Sequence, residues 1–151
     1  MWVSYVMGGY KRLNILFFLT PKSEVDYIEA PITIRRALMQ IQANTYTSIP
    51  IISDSGEYIG TITEGDFLRY FKNISTGGPD PDLAENVLTI PRSVSYEPVS
   101  INSDIEDLIS KVTNQNFVPV VDDNKKFIGI ITRKDVIQYI YKKLKTQEEQ
   151  A

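Results

Sequence analysis

Residues Ile49–Lys72, IPIISDSGEYIGTITEGDFLRYFK, recur as Val118–Tyr141, VPVVDDNKKFIGIITRKDVIQYIY, at a constant offset of 69 positions. Pro, Asp, Ile, Gly, Ile, Thr, Asp and Tyr are identical in register. The chain is therefore a tandem duplication. The matched pairs include Thr63/Thr132 and Asp66/Asp135, polar residues that follow an apolar run in both copies. The repeat thus preserves chemistry as well as packing, and these four positions are the first candidates for ligand contact.

Working outward, β-branched and aromatic runs at Ile49–Ser53 and Tyr58–Thr63 flank the turn Asp54-Ser55-Gly56-Glu57. Val118–Asp122 and Phe127–Thr132 flank Asp123-Asn124-Lys125-Lys126 in the same way, so each copy predicts a β-hairpin. Pro50 and Pro119 lack an amide donor and are expected at a strand start or edge, not in a fully paired centre strand. Upstream, Ile34, Ala37, Leu38 and Ile41 in one copy and Ile105, Leu108, Ile109 and Val112 in the other fall at helical spacing. Ser103 with Glu106 three residues on carries a capping-box signature and sets the expected start of the second of these helices. Aligning Ala37 with Ile105 and Ile41 with Ile109 gives the helices an offset of 68, which implies one residue gained within Ser110–Phe117.

The fold class expected is α/β in the broad sense (α+β), with each repeat running helix, strand, turn, strand, helix. The boundaries follow as an N-terminal arm 1–20, repeat 21–75, linker 76–86, repeat 87–145 and tail 146–151. The seam is the breaker-rich Asn73–Asp82, and the polar Lys145–Ala151 is expected to fray.

Composition excludes several functions. A formal net charge of −3 over 151 residues supplies no basic face for DNA or RNA. With neither cysteine nor histidine, zinc-finger, disulfide-redox and Cys/His or Ser/His nucleophile chemistries lose their essential residues, and no metal site is expected. The acidic residues are scattered rather than gathered at one cleft, so the expectation is a protein that is not an enzyme. The apolar run Leu13–Leu19 is too short to span a bilayer and no small-residue cleavage site follows it, so a soluble, cytoplasmic protein with no membrane partner is expected.

Gly60-Thr61-Ile62-Thr63-Glu64-Gly65-Asp66 and Gly129-Ile130-Ile131-Thr132-Arg133-Lys134-Asp135 each join a strand to a helix start. Threonine at the cap with aspartate three residues on can do no more than satisfy helix-start amides. The same geometry also suits a ligand. The helix N-terminus offers unpaired N–H groups and partial positive charge, the hydroxyl bonds a ligand, and a carboxylate accepts two vicinal ribose hydroxyls. Gly60 and Gly129 either let a flat ring approach the strand or mark a bulge or close packing.

From roughly Ala30 to Leu144 the pattern resembles a tandem pair of CBS domains (cystathionine β-synthase domains), also called a Bateman module. The resemblance rests on Ile49-Pro50-Ile51-Ile52-Ser53-Asp54 and Val118-Pro119-Val120-Val121-Asp122-Asp123, and on the Gly-x-hydrophobic-Thr-x-x-Asp run in both copies. It implies two sheet-and-helix repeats about a pseudo-two-fold axis, a regulatory role, and two composite clefts for adenosine-containing ligands. By the resemblance, the main cleft joins Thr132, Arg133 and Asp135 to Lys22, Tyr46, Thr47 and Ser48. The second joins Thr63 and Asp66 to Gln115, Asn116, Phe117 and Val99–Ile101.

The copies differ in charge inside the motif, where Arg133-Lys134 replaces Glu64-Gly65, and this sign difference steers phosphate toward the Thr132/Asp135 cleft. Some nucleotide-sensing relatives carry Arg or His just before the proline, where this chain has Thr47-Ser48 and Asn116-Phe117, which speaks against a triphosphate. Tyr46-Thr47-Ser48, Lys22 and Arg133 look like the arrangement of small bacterial stand-alone CBS pairs that bind cyclic di-AMP. The ligand expected is an adenine nucleotide, cyclic di-AMP or AMP/ADP, with no cofactor required; the alternative is a structural interaction module with empty clefts. An apolar stripe on the last helices, Phe67, Leu68, Tyr70 and Phe71 with Val136, Ile137, Ile140, Tyr141 and Leu144, predicts a homodimer that signals in trans to a downstream protein.

Overall fold

β-branched residues at alternating positions and amphipathic helical runs assemble here into two compact units, one of residues Asp26–Tyr96 and one of residues up to Val25 with those from Glu97 onward. The computed structural model describes residues 14–43, 47–75 and 83–150. Tyr46, most of the expected arm and most of the Asn73–Asp82 seam lie outside the described residues.

The central unit, Asp26–Tyr96, contains β2 (Ile28–Glu29), α1 (Ile34–Ala43), β3 (Ser48–Ile52), β4 (Tyr58–Thr63) and α2 (Glu64–Ser75). Its sheet order is β2-β3-β4, with β2 parallel and β4 antiparallel to β3. The terminal unit contains β1 (Thr20–Pro21), β5 (Val99–Ser100), α3 (Ile105–Asn114), β6 (Phe117–Val121), β7 (Phe127–Thr132) and α4 (Arg133–Gln150), in the sheet order β1-β7-β6-β5. Ile15, Leu108, Val118, Val120 and Ile131 form the heart of its core, and Ile28, Ile34, Ala37, Ile51 and Ile62 form that of the central unit.

Both expected hairpins are present. Each proline lies third in an inner strand of its sheet, not at a strand start, which corrects the expectation for Pro50 and Pro119. The reason they fit is that the short parallel neighbour stops before them. Strand β2 pairs only with Ile51 and Ile52, and β5 only with Val120 and Val121, so no ladder bond is asked of either proline on that side.

The helix alignment is also corrected. Buried Ile34, Ala37 and Ile41 correspond to buried Ile105, Leu108 and Val112, an offset of 71 rather than 68. A slip of three residues is nearly one helical turn and leaves the apolar periodicity intact, so periodicity alone could not exclude it. The loop between helix and strand is therefore two residues shorter in the second copy, not one longer. Helix α3 is capped by Asp104, whose carboxylate accepts the Asp107 N–H, while the Ser103 hydroxyl accepts the Ser100 N–H instead. Asp caps at least as well as Ser, and the competing turn claims the serine. Helix α4 continues through the segment expected to fray, which contains good helix formers and neither glycine nor proline.

Among the described residues, no helix is long and apolar enough to cross a membrane. Nor do any three acidic, histidine or cysteine side chains among them gather as a metal site.

Candidate functional site

In the central unit Thr63 ends β4 and Asp66 lies in the first turn of α2. The Asp66 N–H donates to Thr63 Oγ1 at 3.1 Å, and Asp66 Oδ2 accepts the Thr63 N–H at 2.9 Å, a reciprocal cap. The other carboxylate oxygen accepts Arg69 Nη2 at 2.7 Å, the Ser93 N–H at 3.1 Å and the Ser93 hydroxyl at 3.0 Å. Asp66 is 1% exposed. Burial pushes its carboxyl upward, but the amides of Thr63 and Ser93, the Arg69 guanidinium and the Ser93 hydroxyl together outweigh that and hold it below the usual carboxylate value. Its acceptor capacity is spent inside the unit.

The same unit accounts for Gly60. A Cβ there would lie 2.9 Å from Arg92 Nε, so the flat group resting against this strand is the protein's own guanidinium. The strand is also bulged here, between Ile51 and Ile52 on its partner. Beside it, Tyr58 Oη accepts from Thr61 Oγ1 at 2.8 Å and donates to the Tyr96 carbonyl at 2.9 Å. Burial pushes the Tyr58 phenol up to about 12, against the opposing hydrogen bond from Thr61 and the charge of Arg92.

The terminal unit repeats the scaffold without the lock. Thr132 ends β7, and its hydroxyl accepts the Asp135 N–H at 3.1 Å. The half-buried Asp135 carboxylate accepts no hydrogen bond and forms no ion pair within the described residues. Arg133 starts α4; its N–H donates to the Asn116 carbonyl at 2.9 Å and its Nε to the Val112 carbonyl, near the C-terminus of α3, at 2.7 Å. A cation is favoured there by the helix dipole. Among the described residues neither Arg133 Nη group makes a hydrogen bond, so the side chain is oriented by its Nε.

Lys22 follows β1, which pairs antiparallel with β7 through Thr20↔Ile130 and Pro21↔Gly129. Lys22 therefore stands near the Gly129 end of β7, with Arg133 just past the other end, and roughly 13 Å of strand lies between those ends at ~3.3 Å per residue. Gly129 has φ +154°, and a Cβ would meet the Thr20 carbonyl oxygen. Close packing of β1 accounts for this glycine.

Each unit sets its pre-proline residues beside its own threonine: Ser48 pairs with Thr63, and Phe117 with Thr132. The Thr47 carbonyl accepts the Glu64 N–H, as Asn116 does for Arg133. Phe117 is 6% exposed. Gln115 is spent on backbone, accepting from Glu97 N–H and donating to the Glu97 and Phe117 carbonyls.

Sequence reasoning missed Arg69, Arg92 and Ser93. Two signals were available. Pro91-Arg92-Ser93 echoes Pro21-Lys22-Ser23 at an offset of 70, and Gln138 stands where the hairpin offset places the counterpart of Arg69.

The chain is similar to known proteins along most of its length. The uncharacterised protein MK0525 of Methanopyrus kandleri is 34% identical over 92 residues, 60% of this chain and 45% of that protein. The chain spans less than half the length of this and other curated relatives. Among solved structures, CbpB in complex with c-di-AMP superposes with a TM-score of 0.83 at 20% identity, covering 99% of each chain. CBSX2 in complex with AMP gives 0.64 at 24% identity, covering 85% of this chain and 96% of that one. The family model of the CBS domain matches twice, at residues 19–73 and 86–142. With two tandem matches spanning most of its length, the chain belongs to the CBS-domain family.

Proposed function

We propose that this protein is a regulatory module that binds an adenine nucleotide in its terminal unit and signals to another protein in trans. The observation that carries this reading is Asp135: a half-buried carboxylate at a helix start with no hydrogen-bond or ion-pair partner among the described residues, beside an arginine whose fork makes no hydrogen bond to them. Asp135 takes the ribose hydroxyls, Thr132 and the first-turn amides of α4 add polar contacts, and Arg133 with Lys22 meets phosphate. The complexes of CbpB with c-di-AMP and of CBSX2 with AMP support the ligand class.

The protein acts as a homodimer in the cytoplasm. Leu68 on α2 is 70% exposed, and Ile137 and Tyr141 on α4 are 57% and 64% exposed, apolar surface that a second copy would cover. Their neighbours Phe67 and Val136 are buried within their own units, so the expected stripe divides between core and surface.

Thermal shift with AMP, ADP, ATP, cyclic di-AMP and S-adenosylmethionine tests the reading. Stabilisation is expected with cyclic di-AMP, and a flat response to all five would contradict it.

A further inference from the structure

At the end of the central sheet far from Thr63, a cavity of about 460 Å³ opens where β2 ends, α1 begins and the chain turns after β3. Ser48 pairs with Thr63 at one end of β3, and Ile52 pairs with Glu29 at the other, about 13 Å of strand away at ~3.3 Å per residue. The cavity shares no residue with the Thr63/Asp66 motif and lies wholly within the central unit. Its volume is within the ~300–1,000 Å³ of small-molecule sites.

Charge of both signs lines it. Glu29 ends β2, Asp54 stands in the turn after β3, and Arg36 and Gln40 share one face of α1, four residues apart. Among the described residues, neither carboxylate pairs with Arg36 or with any other cation, and the Arg36 guanidinium and Gln40 amide make no hydrogen bond. Opposite charges thus border one cavity without closing on one another. The start of α1 adds no free amide there, because the Ile34 and Arg35 N–H groups donate to the Glu85 and Leu83 carbonyls and that of Arg36 to Thr33 Oγ1. Recognition falls to the side chains, with Pro31 and Ile32 as an apolar wall.

We infer that this cavity is a site for a free basic amino acid, its α-carboxylate held by Arg36 and its two cationic groups by Glu29 and Asp54. The planar fork of arginine matches a carboxylate in pairs, and an ammonium brings three donors to acceptor-only carboxylates. Two carboxylates against one guanidinium leave the lining with negative charge in excess, which a ligand with one carboxylate and two cationic groups neutralises. The inference goes beyond the nucleotide reading and uses none of the residues proposed to hold the nucleotide.

Calorimetric titration of the full chain with L-lysine at low salt tests it, beside norleucine, which lacks the second cation, and cadaverine, which lacks the carboxylate. One lysine per chain is expected, with norleucine and cadaverine each at least fivefold weaker. Arg36→Gln should weaken lysine at least fivefold and leave cadaverine unchanged, whereas Glu29→Gln should weaken both. Glu29 and Arg36 are exposed, so melting temperatures near wild type are expected for these variants. Absence of lysine binding, or lysine affinity unchanged in the Glu29→Gln, Arg36→Gln double variant, overturns the inference. Failure of cyclic di-AMP to bind the wild type, with lysine behaving as expected, counts against the nucleotide reading alone.

Discussion

Arg69 Nη2 donates to Asp66 Oδ1 at 2.7 Å, whereas the repeat places Gln138, which carries no charge, in the same relation to Asp135. One substitution between copies separates a carboxylate closed by its own helix from one left open. The duplication has therefore produced one self-capped aspartate and one available to a ligand.

Asp66→Ala should cost stability, about 1–2 kcal/mol, because it removes the acceptor of the part-buried Thr63 and Ser93 N–H bonds and unpairs Arg69. Asp135→Ala should cost under about 1 kcal/mol, since its amide cap to Thr132 remains. Urea denaturation of both variants checks this; equal losses would contradict the asymmetry.

The folded pKa of Asp66 is lowered, so its contribution is present above the unfolded carboxylate value and is lost as pH falls through the folded one. Tyr58 is raised from 10.0 to about 12, so its contribution is complete below pH 10 and is lost as pH rises toward 12. Melting temperature against pH should fall at both ends, and Tyr58→Phe should remove the alkaline limb attributable to this phenol.

The two motif glycines should respond differently to alanine. At Gly129 the new methyl meets the Thr20 carbonyl at φ +154°, and a loss of about 3 kcal/mol or failure to fold is expected. At Gly60 it meets the flexible Arg92 side chain, and the loss should stay near 1 kcal/mol. Thermal denaturation distinguishes them.

Lys125 has φ 63°, and the hairpin offset matches it to Gly56, which has φ 90°. Lys125→Gly should stabilise the protein by about 0.5–1 kcal/mol, because a side chain in the left-handed region costs more than the added chain entropy of glycine. A destabilised variant would contradict this.

The strands were legible because β-branched runs interrupted by Asp-rich turns have no competing reading. The helix register was not, since Ala37 fits either Ile105 or Leu108 when apolar residues recur every three or four positions. Thr132, Arg133 and Asp135 were legible as a candidate site because one short motif holds them together. Arg69, Arg92 and Ser93 escaped because their roles arise from a segment 27 positions beyond Asp66 folding back onto it, and only the weak echo of Pro21-Lys22-Ser23 announces that segment.

Calorimetric titration of cyclic di-AMP into the wild type, Asp135→Ala, Arg133→Ala and Asp66→Ala proteins tests the central claim most directly. One nucleotide per chain is expected, with at least a tenfold loss of affinity for Asp135→Ala and Arg133→Ala and near-wild-type affinity for folded Asp66→Ala. Affinity that falls with Asp66→Ala and survives Asp135→Ala would contradict it.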